Sequence, residues 1–251
     1  MNISKVLITG ASSGIGAACA RLFGSKGYHM VLCGRNGEAL KEFSDKYNAE
    51  LFIRDLKEEG AVEELLSSYG DFSLLINCAG VGAFGLIRDQ DVEDLTSLIR
   101  INEEVLVRLC SGFVKRFKGQ IINVGSIGSF FPGPLLGTYY ASKAFVLNFS
   151  LALREEVKDN GVVVSCICPG PVDTPFHQRA GAYVSPFFKK HMLTDPDFIA
   201  GEIFRLSENK RAYVIPGFMN KLAVFGIRLL PLSLRARVSY SLQRKSKKDI
   251  I

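Results

Sequence analysis

Hydrophobic residues along this chain follow two alternating periods. Short runs rich in β-branched residues predict strands at residues 5–9, 29–33, 50–53, 73–77, 120–124, 162–167 and 212–215. Between most of these runs, segments such as 15–27 and 92–110 place apolar residues at helical spacing. Strands that alternate with helices predict βαβ units, whose right-handed crossovers build a parallel sheet covered on both faces. The pattern therefore predicts an α/β fold with one doubly wound parallel sheet of about seven strands.

The character of the chain changes near residue 217. We expect residues 1–217 to form the sheet domain and residues 218–251 to form a basic, helical C-terminal extension. The extension holds eight Lys and Arg residues against one acid, so it carries a net charge of +7 within an overall +6, and residues 1–217 carry −1. Pro231 divides the extension into two predicted helices. Its apolar residues predict a stripe of Leu222, Phe225, Leu229 and Leu230.

A basic amphipathic helix can lie on an anionic membrane. It could equally cover a substrate pocket, bind a partner subunit or dock an acidic carrier protein, and the sequence leaves these alternatives open. No nucleic acid partner is predicted.

Composition narrows the class of protein. The 47% hydrophobic and 22% charged residues are typical of a soluble globular protein. The six cysteines form no CxxC pair and the three histidines are scattered, which predicts reduced core thiols and no metal site. The chain starts a strand within a few residues and lacks an apolar run of about 18 residues, so neither a signal peptide nor a membrane-spanning helix is expected. We therefore expect a cytoplasmic protein, with contact of the extension with membrane or lipid as an additional option.

A glycine-rich loop, TGASSGIG, follows the first predicted strand directly. Gly10 permits a tight turn, Gly14 lets the backbone approach a pyrophosphate, and Gly16 lets the following helix pack on the strand. The free N–H groups at the start of that helix suit a phosphate, and the hydroxyls of Ser12 and Ser13 add donors. The loop therefore predicts a dinucleotide site.

With this loop the chain resembles the short-chain dehydrogenases/reductases, a Rossmann-type family. The resemblance spans about residues 3–215 and continues in order through NCAG (77–80), IN (101–102), NVGS (123–126), YYASK (139–143) and CPGPVDT (168–174). One departure is Cys78, where the family more often has a second asparagine. The resemblance implies an oxidoreductase that moves a hydride between a nicotinamide and a small carbonyl or alcohol substrate, and that assembles as a homodimer or homotetramer.

The resemblance also assigns residues to roles. Beyond the loop glycines and serines, it implies cofactor contacts by Ile15, Asp55, Leu56, Asn77, Ala79, Gly80, Pro169, Gly170, Val172 and Thr174. Asp55 would meet the adenine amino group, although it could also cap the helix expected near residue 57. Val172 and Thr174 would bind the nicotinamide carboxamide.

The end of the second strand, VLCGRN, indicates which cofactor is used. An acid at this point selects NAD through the ribose 2′-hydroxyl, whereas an arginine accommodates a 2′-phosphate. The sequence has Gly34 and Arg35 here and no acid. We therefore expect NADP(H) in preference to NAD(H), although Arg35 could merely solvate a helix start.

Two adjacent tyrosines, Tyr139 and Tyr140, raise the question of the catalytic acid. Lys143 lies four residues after Tyr139, so one helix face presents both, while Tyr140 is expected to pack. A nearby ammonium, together with the positive charge of an oxidised nicotinamide, favours the phenolate and predicts Tyr139 as general acid/base. By resemblance, Lys143 also binds the nicotinamide ribose, and Ser126, thirteen residues before Tyr139, binds the substrate carbonyl oxygen. Asn102 would hold a water that relays protons to Lys143.

The segment that follows CPGPVDT is rich in aromatic and basic residues. The resemblance implies that the segment after the PG turn selects the substrate. Residues 176–198 predict an aromatic-lined mobile lid there, although they could equally form a packed surface loop; the segment includes Phe176, Tyr183, Phe187, Phe188, Arg179, Lys189 and Lys190. The alternative function is a non-catalytic nucleotide sensor or scaffold on the same fold. Against it, the positions of Asn102, Ser126, Tyr139 and Lys143 are all filled.

Overall fold

A computed structural model describes residues 4–181 and 193–248, with side chains as far as residue 243. The strands are β1 (Lys5–Thr9), β2 (His29–Gly34), β3 (Glu50–Ile53), β4 (Leu74–Asn77), β5 (Gly119–Val124), β6 (Val162–Ile167) and β7 (Tyr213–Val214). The α-helices are α1 (Gly14–Ser25), α2 (Gly37–Tyr47), α3 (Ala61–Ser68), α4 (Val92–Ile99), α5 (Val105–Arg116), α6 (Gly137–Glu156), α7 (Phe176–Arg179), α8 (Pro196–Asn209), α9 (Phe218–Arg228) and α10 (Leu232–Lys248).

The seven strands form one parallel sheet in the order β3-β2-β1-β4-β5-β6-β7. Strand order reverses at β1, whose Thr9 pairs with Cys33 of β2 on one side and with Asn77 of β4 on the other. Ligands of doubly wound sheets bind outside the carboxyl ends of the strands at such a switch point. The predicted doubly wound sheet of about seven strands is confirmed.

Two apolar cores lie on opposite faces of the sheet. On one face α1, α2 and α8 bury side chains such as Phe23, Leu40 and Ile203. On the other face α3, α5 and α6 bury side chains that include Leu65 and Phe113. Because the sheet is covered on both faces, its strands are mainly apolar, with polar residues such as Asn77 and Asn123 towards their carboxyl ends.

The predicted helical segment 92–110 is not one regular helix. A π-helical turn at Arg100–Glu104 separates α4 from α5, and Asn102, at its centre, is 1% exposed. Single π-turns inside helices are frequent at functional sites, and apolar periodicity carries too little detail to predict one.

The extension folds into α9 and α10, which meet at Pro231 as predicted. Arg235 fixes this corner, since its guanidinium donates to the carbonyls of Leu230 and Arg228, each at 2.8 Å. One detail of the predicted stripe is wrong: Leu222, Phe225 and Leu229 are exposed, but Leu230 is half-buried and faces a cavity. Among the described residues, no helix combines the length and hydrophobicity needed to cross a bilayer.

Candidate active site

A cavity of about 1320 Å³ lies at the carboxyl ends of the strands. Gly10, after β1, and Ala79, after β4, both line it, so the cavity opens at the switch point of the sheet. Every site residue predicted from the sequence lines this cavity except Asn77 and Asn102. In the described part of the chain, no cluster of His, Cys, Asp and Glu is placed to hold a metal ion.

The glycine loop is pressed tightly against its neighbours. Gly10 has φ +66°, and a Cβ there would lie 2.9 Å from the backbone of Ala79. A Cβ at Gly16 would lie only 2.3 Å from the Gly10 carbonyl oxygen. The loop leads into α1, whose N-cap Ser13 makes no side-chain capping bond, so the first N–H groups of α1 remain available. Free amides at a helix N-terminus on the cavity fit the pyrophosphate of a dinucleotide.

Two contacts bring the loop after β6 and the helix that follows it onto the glycine loop. Gly14 faces Thr174, whose Cγ2 would lie 3.1 Å from a Cβ at that position. The Arg179 guanidinium donates to the Ser13 hydroxyl at 3.1 Å. Arg179 is predicted as part of a lid, but its guanidinium is bonded to the N-cap of α1, where the pyrophosphate is expected. No local pattern links two residues so far apart in sequence.

The predicted adenosine end contains Arg35 and Asp55. Their side chains form a long ion pair at 3.6 Å, and Arg35 is the more exposed of the two. Asp55 does not cap an α-helix, since α3 begins at Ala61, and its carboxylate instead accepts the backbone N–H of Lys57 at 3.0 Å. The alternative role of Asp55 as a helix cap is therefore wrong, because the chain forms a turn before α3.

Tyr139, Lys143 and Ser126 converge on the opposite end of the cavity. Lys143 is 7% exposed, donates to the Val124 carbonyl at 2.9 Å and lies 5.8 Å from the centre of the Tyr139 ring. Ser126 follows β5 and accepts the N–H of Gly128 at 3.0 Å. The first bond attaches the Lys143 ammonium to the carboxyl end of β5, and the second makes Ser126 the cap of the short helical turn that follows this strand.

Ser129, the neighbouring serine, has a different environment. It is buried, and its hydroxyl donates to the Lys143 carbonyl at 2.6 Å and accepts the N–H of Ser126. The Ser129 hydroxyl therefore stabilises the position of α6. Of these two serines, Ser126 is the one that lines the cavity.

Burial dominates the proton affinities of the reacting groups. Burial raises the pKa of Tyr139 well above its usual value, and hydrogen bonding to Ser126 opposes that shift only in part. Burial also lowers the pKa of Lys143. The expected lowering of the Tyr139 pKa is therefore not produced by the protein alone, because desolvation of the phenolate outweighs the hydrogen bond with Ser126.

Asn102 lies behind the cavity wall. Its carboxamide accepts the N–H of Val81 at 2.9 Å and donates to the Val81 carbonyl at 3.0 Å and to the Ser142 hydroxyl at 2.9 Å. Ser142 in turn donates to the Tyr139 carbonyl at 2.8 Å. The side chain therefore ties the loop after β4 to the helix that carries Tyr139.

Asn77 is the other predicted residue that does not line the cavity. It is 4% exposed, and its amide donates to the side chain of Asn123 at 2.8 Å. Asn123 donates in turn to Ser150 of α6 at 2.9 Å. This buried chain of polar contacts links the ends of β4 and β5 to α6, which sequence spacing does not predict.

The two adjacent tyrosines have different surroundings. Tyr139 packs on Phe176 with 5.1 Å between ring centres, whereas the Tyr140 hydroxyl accepts a hydrogen bond from Gln243 of α10 at 3.2 Å. Of the predicted lid residues, Phe176 and Arg179 line the cavity. Tyr183, Phe187, Phe188, Lys189 and Lys190 lie outside the described residues.

The amino-acid sequence of the chain is similar to those of known dehydrogenases. A sequence model described as short chain dehydrogenase matches residues 4–183. Dehydrogenase/reductase SDR family member 7B from Rattus norvegicus is 31% identical over 272 residues, covering 97% of this chain and 82% of that protein. NADP-dependent 3-hydroxy acid dehydrogenase from Escherichia coli is 36% identical over 179 residues, covering 66% of this chain and 72% of that protein.

The fold of the chain also resembles that of a solved structure. The short-chain dehydrogenase from Sphingobium yanoikuyae in complex with NADPH superimposes with a TM-score of 0.78 at 30% identity. The superposition covers 90% of this chain and 94% of the other.

Proposed function

The chain belongs to the short-chain dehydrogenases, a family of oxidoreductases, and on that premise we propose that it is an NADP(H)-dependent carbonyl reductase with Tyr139 as its general acid. The observation that carries this proposal is the convergence of Ser126, Tyr139 and Lys143 on the same cavity as the glycine loop. A nucleotide sensor would need the loop but has no use for a phenol and a buried ammonium at the far end.

The residues present fit a nicotinamide dinucleotide. Gly10, Gly14 and Gly16 would hold the pyrophosphate at the start of α1, and Pro169, Gly170, Val172 and Thr174 would hold the nicotinamide. When bound, this cofactor supplies the hydride that reduces the carbonyl carbon. The E. coli relative is NADP-dependent by name and the Sphingobium structure holds NADPH, which supports the same choice here.

Side chains of the protein bind the carbonyl oxygen and transfer the proton. Ser126 donates a hydrogen bond to the carbonyl oxygen, where negative charge develops. Tyr139 gives that oxygen its proton, since a phenol whose pKa burial has raised keeps its proton at neutral pH. Lys143 binds the nicotinamide ribose, and its ammonium stabilises the phenolate that remains.

Asn102 has a positioning role in this scheme. Its three hydrogen bonds to Val81 and Ser142 hold the nicotinamide-side loop against the helix of Tyr139. Retention of a relay water near Lys143 stays a prediction, as does assembly into a homodimer or homotetramer. The division at residue 217 and a cytoplasmic location also stay predictions.

The experiment that tests the function is NADPH oxidation, followed by absorbance, with a panel of ketones and aldehydes. Turnover of at least one carbonyl compound supports the reductase. Tight NADPH binding without turnover of any of them would favour the sensor.

We expect Arg35→Ala to weaken NADPH binding about tenfold or more while NADH binding changes little. The 3.6 Å pair with Asp55 is loose, and the exposed guanidinium is free to grip a 2′-phosphate through charge-assisted hydrogen bonds of about 1.5–3 kcal/mol. Dissociation constants for both cofactors measure this effect. Arg54→Ala is the matched control and should matter less, since Glu58 and Glu64 already engage that guanidinium. An unchanged preference in Arg35→Ala would contradict the assignment.

We also propose that the outer face of the extension rests on an anionic membrane surface. This outer face consists of six side chains that are 52–76% exposed: Phe218, Met219, Leu222, Phe225, Leu229 and Leu232. The segment from Phe218 to Lys248 holds eight basic residues and no acid, so its charge complements anionic lipid.

Cosedimentation with phosphatidylserine vesicles tests this contact. We expect binding at low salt, weaker binding at high salt, and little binding to phosphatidylcholine vesicles. Replacing Phe225 and Leu229 together by serine should abolish binding, whereas Ile87→Ser, which removes an equally exposed apolar residue elsewhere, should not. Absence of pelleting with either lipid would refute the contact, and self-association of the protein would point to a second copy of the chain as the partner of this face.

A further inference from the structure

The end of the cavity beyond Tyr139 is walled by the C-terminal extension. Ten lining residues come from the segment 220–243, and none of these ten carries a charge. Most are apolar, including Val224, Ile227, Leu230, Val238 and Leu242. Val224 is 3% exposed although its helix is otherwise mostly exposed, so α9 turns one face inward.

This wall is continuous with the reacting centre. Gln243 of α10 donates to the Tyr140 hydroxyl at 3.2 Å, and Tyr140 directly follows Tyr139. At the other end of the wall, Asn220 lies so close to the PG turn that a Cβ on Gly170 would come within 2.5 Å of it. The two helices therefore border the space next to the site expected for the nicotinamide.

The distribution of polar groups defines what this space can accept. Among the residues whose side chains are described, the charged ones that line the cavity, such as Arg35, Asp55 and Arg179, come from elements before the extension. In the wall, the Gln243 oxygen Oε1 is buried without a hydrogen-bond partner. A carboxamide carries both a donor and an acceptor, so its spare hydrogen-bonding capacity could serve one polar group of a ligand.

Size also points to a second ligand beside the dinucleotide. A volume of about 1320 Å³ exceeds the range of roughly 300–1,000 Å³ that is usual for a single ligand site. The volume is therefore sufficient for a cofactor and an elongated substrate together.

We propose that the substrate is an uncharged, elongated and mainly apolar carbonyl compound whose far end lies between α9, α10 and Tyr140. This inference rests on the proposed carbonyl reduction for the position of the carbonyl group at Tyr139. The chamber (the space lined by residues 220–243 and Tyr140) selects the substrate by burying its apolar body. Gln243 meets a single hydroxyl or keto group near the far end.

The test measures binding without turnover. Titration calorimetry on the full chain saturated with NADP⁺ compares 2-nonanone with 2-pentanone, which differ by four methylenes. Each buried methylene strengthens binding about fourfold, so we expect 2-nonanone to bind at least about tenfold tighter. Ile227→Trp should remove most of this advantage by filling the chamber, and leave 2-pentanone binding within about twofold.

Ser241→Trp is the matched control, since Ser241 is exposed on α10 and does not line the cavity. Should Ile227→Trp fail to bind NADP⁺ as the wild type does, Val238→Trp on the other helix gives the same test. Equal affinity of the wild type for the two ketones, or an advantage of 2-nonanone that survives both tryptophans, would overturn the chamber.

The outcome separates this inference from the proposed function. Tight, tryptophan-sensitive binding of 2-nonanone, with no NADPH consumption on any compound of the ketone and aldehyde panel, would refute the reductase and keep the chamber. Reduction of both ketones with equal affinity would keep the reductase and refute the chamber.

Discussion

Tyr139→Phe is expected to reduce carbonyl turnover by about 10²–10⁴-fold while leaving NADPH affinity nearly unchanged. The ring stays in contact with Phe176, so packing is conserved, and only the hydroxyl that protonates the forming alkoxide is lost. Steady-state kcat/KM on any carbonyl compound that the wild type reduces, with the NADPH dissociation constant measured in parallel, gives the result.

Tyr140→Phe is the matched comparison. It removes a hydroxyl of the same kind one residue away, but that hydroxyl is bonded to Gln243 and not to Ser126. We expect a far smaller loss, concentrated in KM for long substrates. A Tyr139→Phe enzyme with wild-type turnover, or a larger loss in Tyr140→Phe, would refute Tyr139 as the acid.

Gly16→Ala is expected to abolish measurable dinucleotide binding and to lower the free energy of unfolding by about 1–3 kcal/mol or more. The added Cβ would lie 2.3 Å from the Gly10 oxygen and 2.7 Å from the Gly10 carbonyl carbon, and both are backbone atoms that no side-chain rotation can move away. Relief of the clash requires α1 to separate from β1, and that separation displaces the N–H groups of the helix. Urea unfolding and NADPH titration measure the two effects.

Gly201→Ala provides the control for this change. Gly201 lies within α8, and a Cβ there would meet nothing within 4 Å. Alanine should therefore stabilise the protein by about 0.5–1 kcal/mol, because glycine is the poorer helix former. Normal NADPH binding by Gly16→Ala would show that the close packing of this loop is not needed for the cofactor.

Much of the fold follows from local pattern. The predicted strands at 5–9, 50–53 and 162–167 match β1, β3 and β6 residue for residue, because each is a short, mainly apolar run; β1 and β6 are buried, whereas β3 is an edge strand. The preference for right-handed crossovers then predicts a parallel sheet with helices on both faces, but it does not determine the order of the strands. The π-turn at Arg100–Glu104 could not be predicted, since it changes hydrogen-bond spacing without changing which residues are apolar.

In the candidate site, too, local features could be predicted from the sequence and contacts between distant segments could not. The facing of Lys143 and Tyr139 could be predicted because helical spacing is local, and the glycines of the first loop could be placed because each meets a backbone constraint. Contacts between distant segments could not be predicted: Arg179 with Ser13, Asn77 with Asn123, and Gln243 with Tyr140. Such contacts depend on how the helices pack against the assembled sheet. The effect of burial on Tyr139 is likewise a property of the assembled cavity.

The wall formed by α9 and α10 has a consequence for how this protein can diversify. The groups proposed for the chemistry lie between Gly10 and Thr174, whereas the wall opposite them is encoded by a separate stretch, residues 220–243. Natural selection can therefore remodel substrate preference by point changes or exchange of the last two helices, and leave the reaction intact. Proteins descended from one ancestral gene would then catalyse the same reaction on different substrates, and their sequence differences would be concentrated after β7.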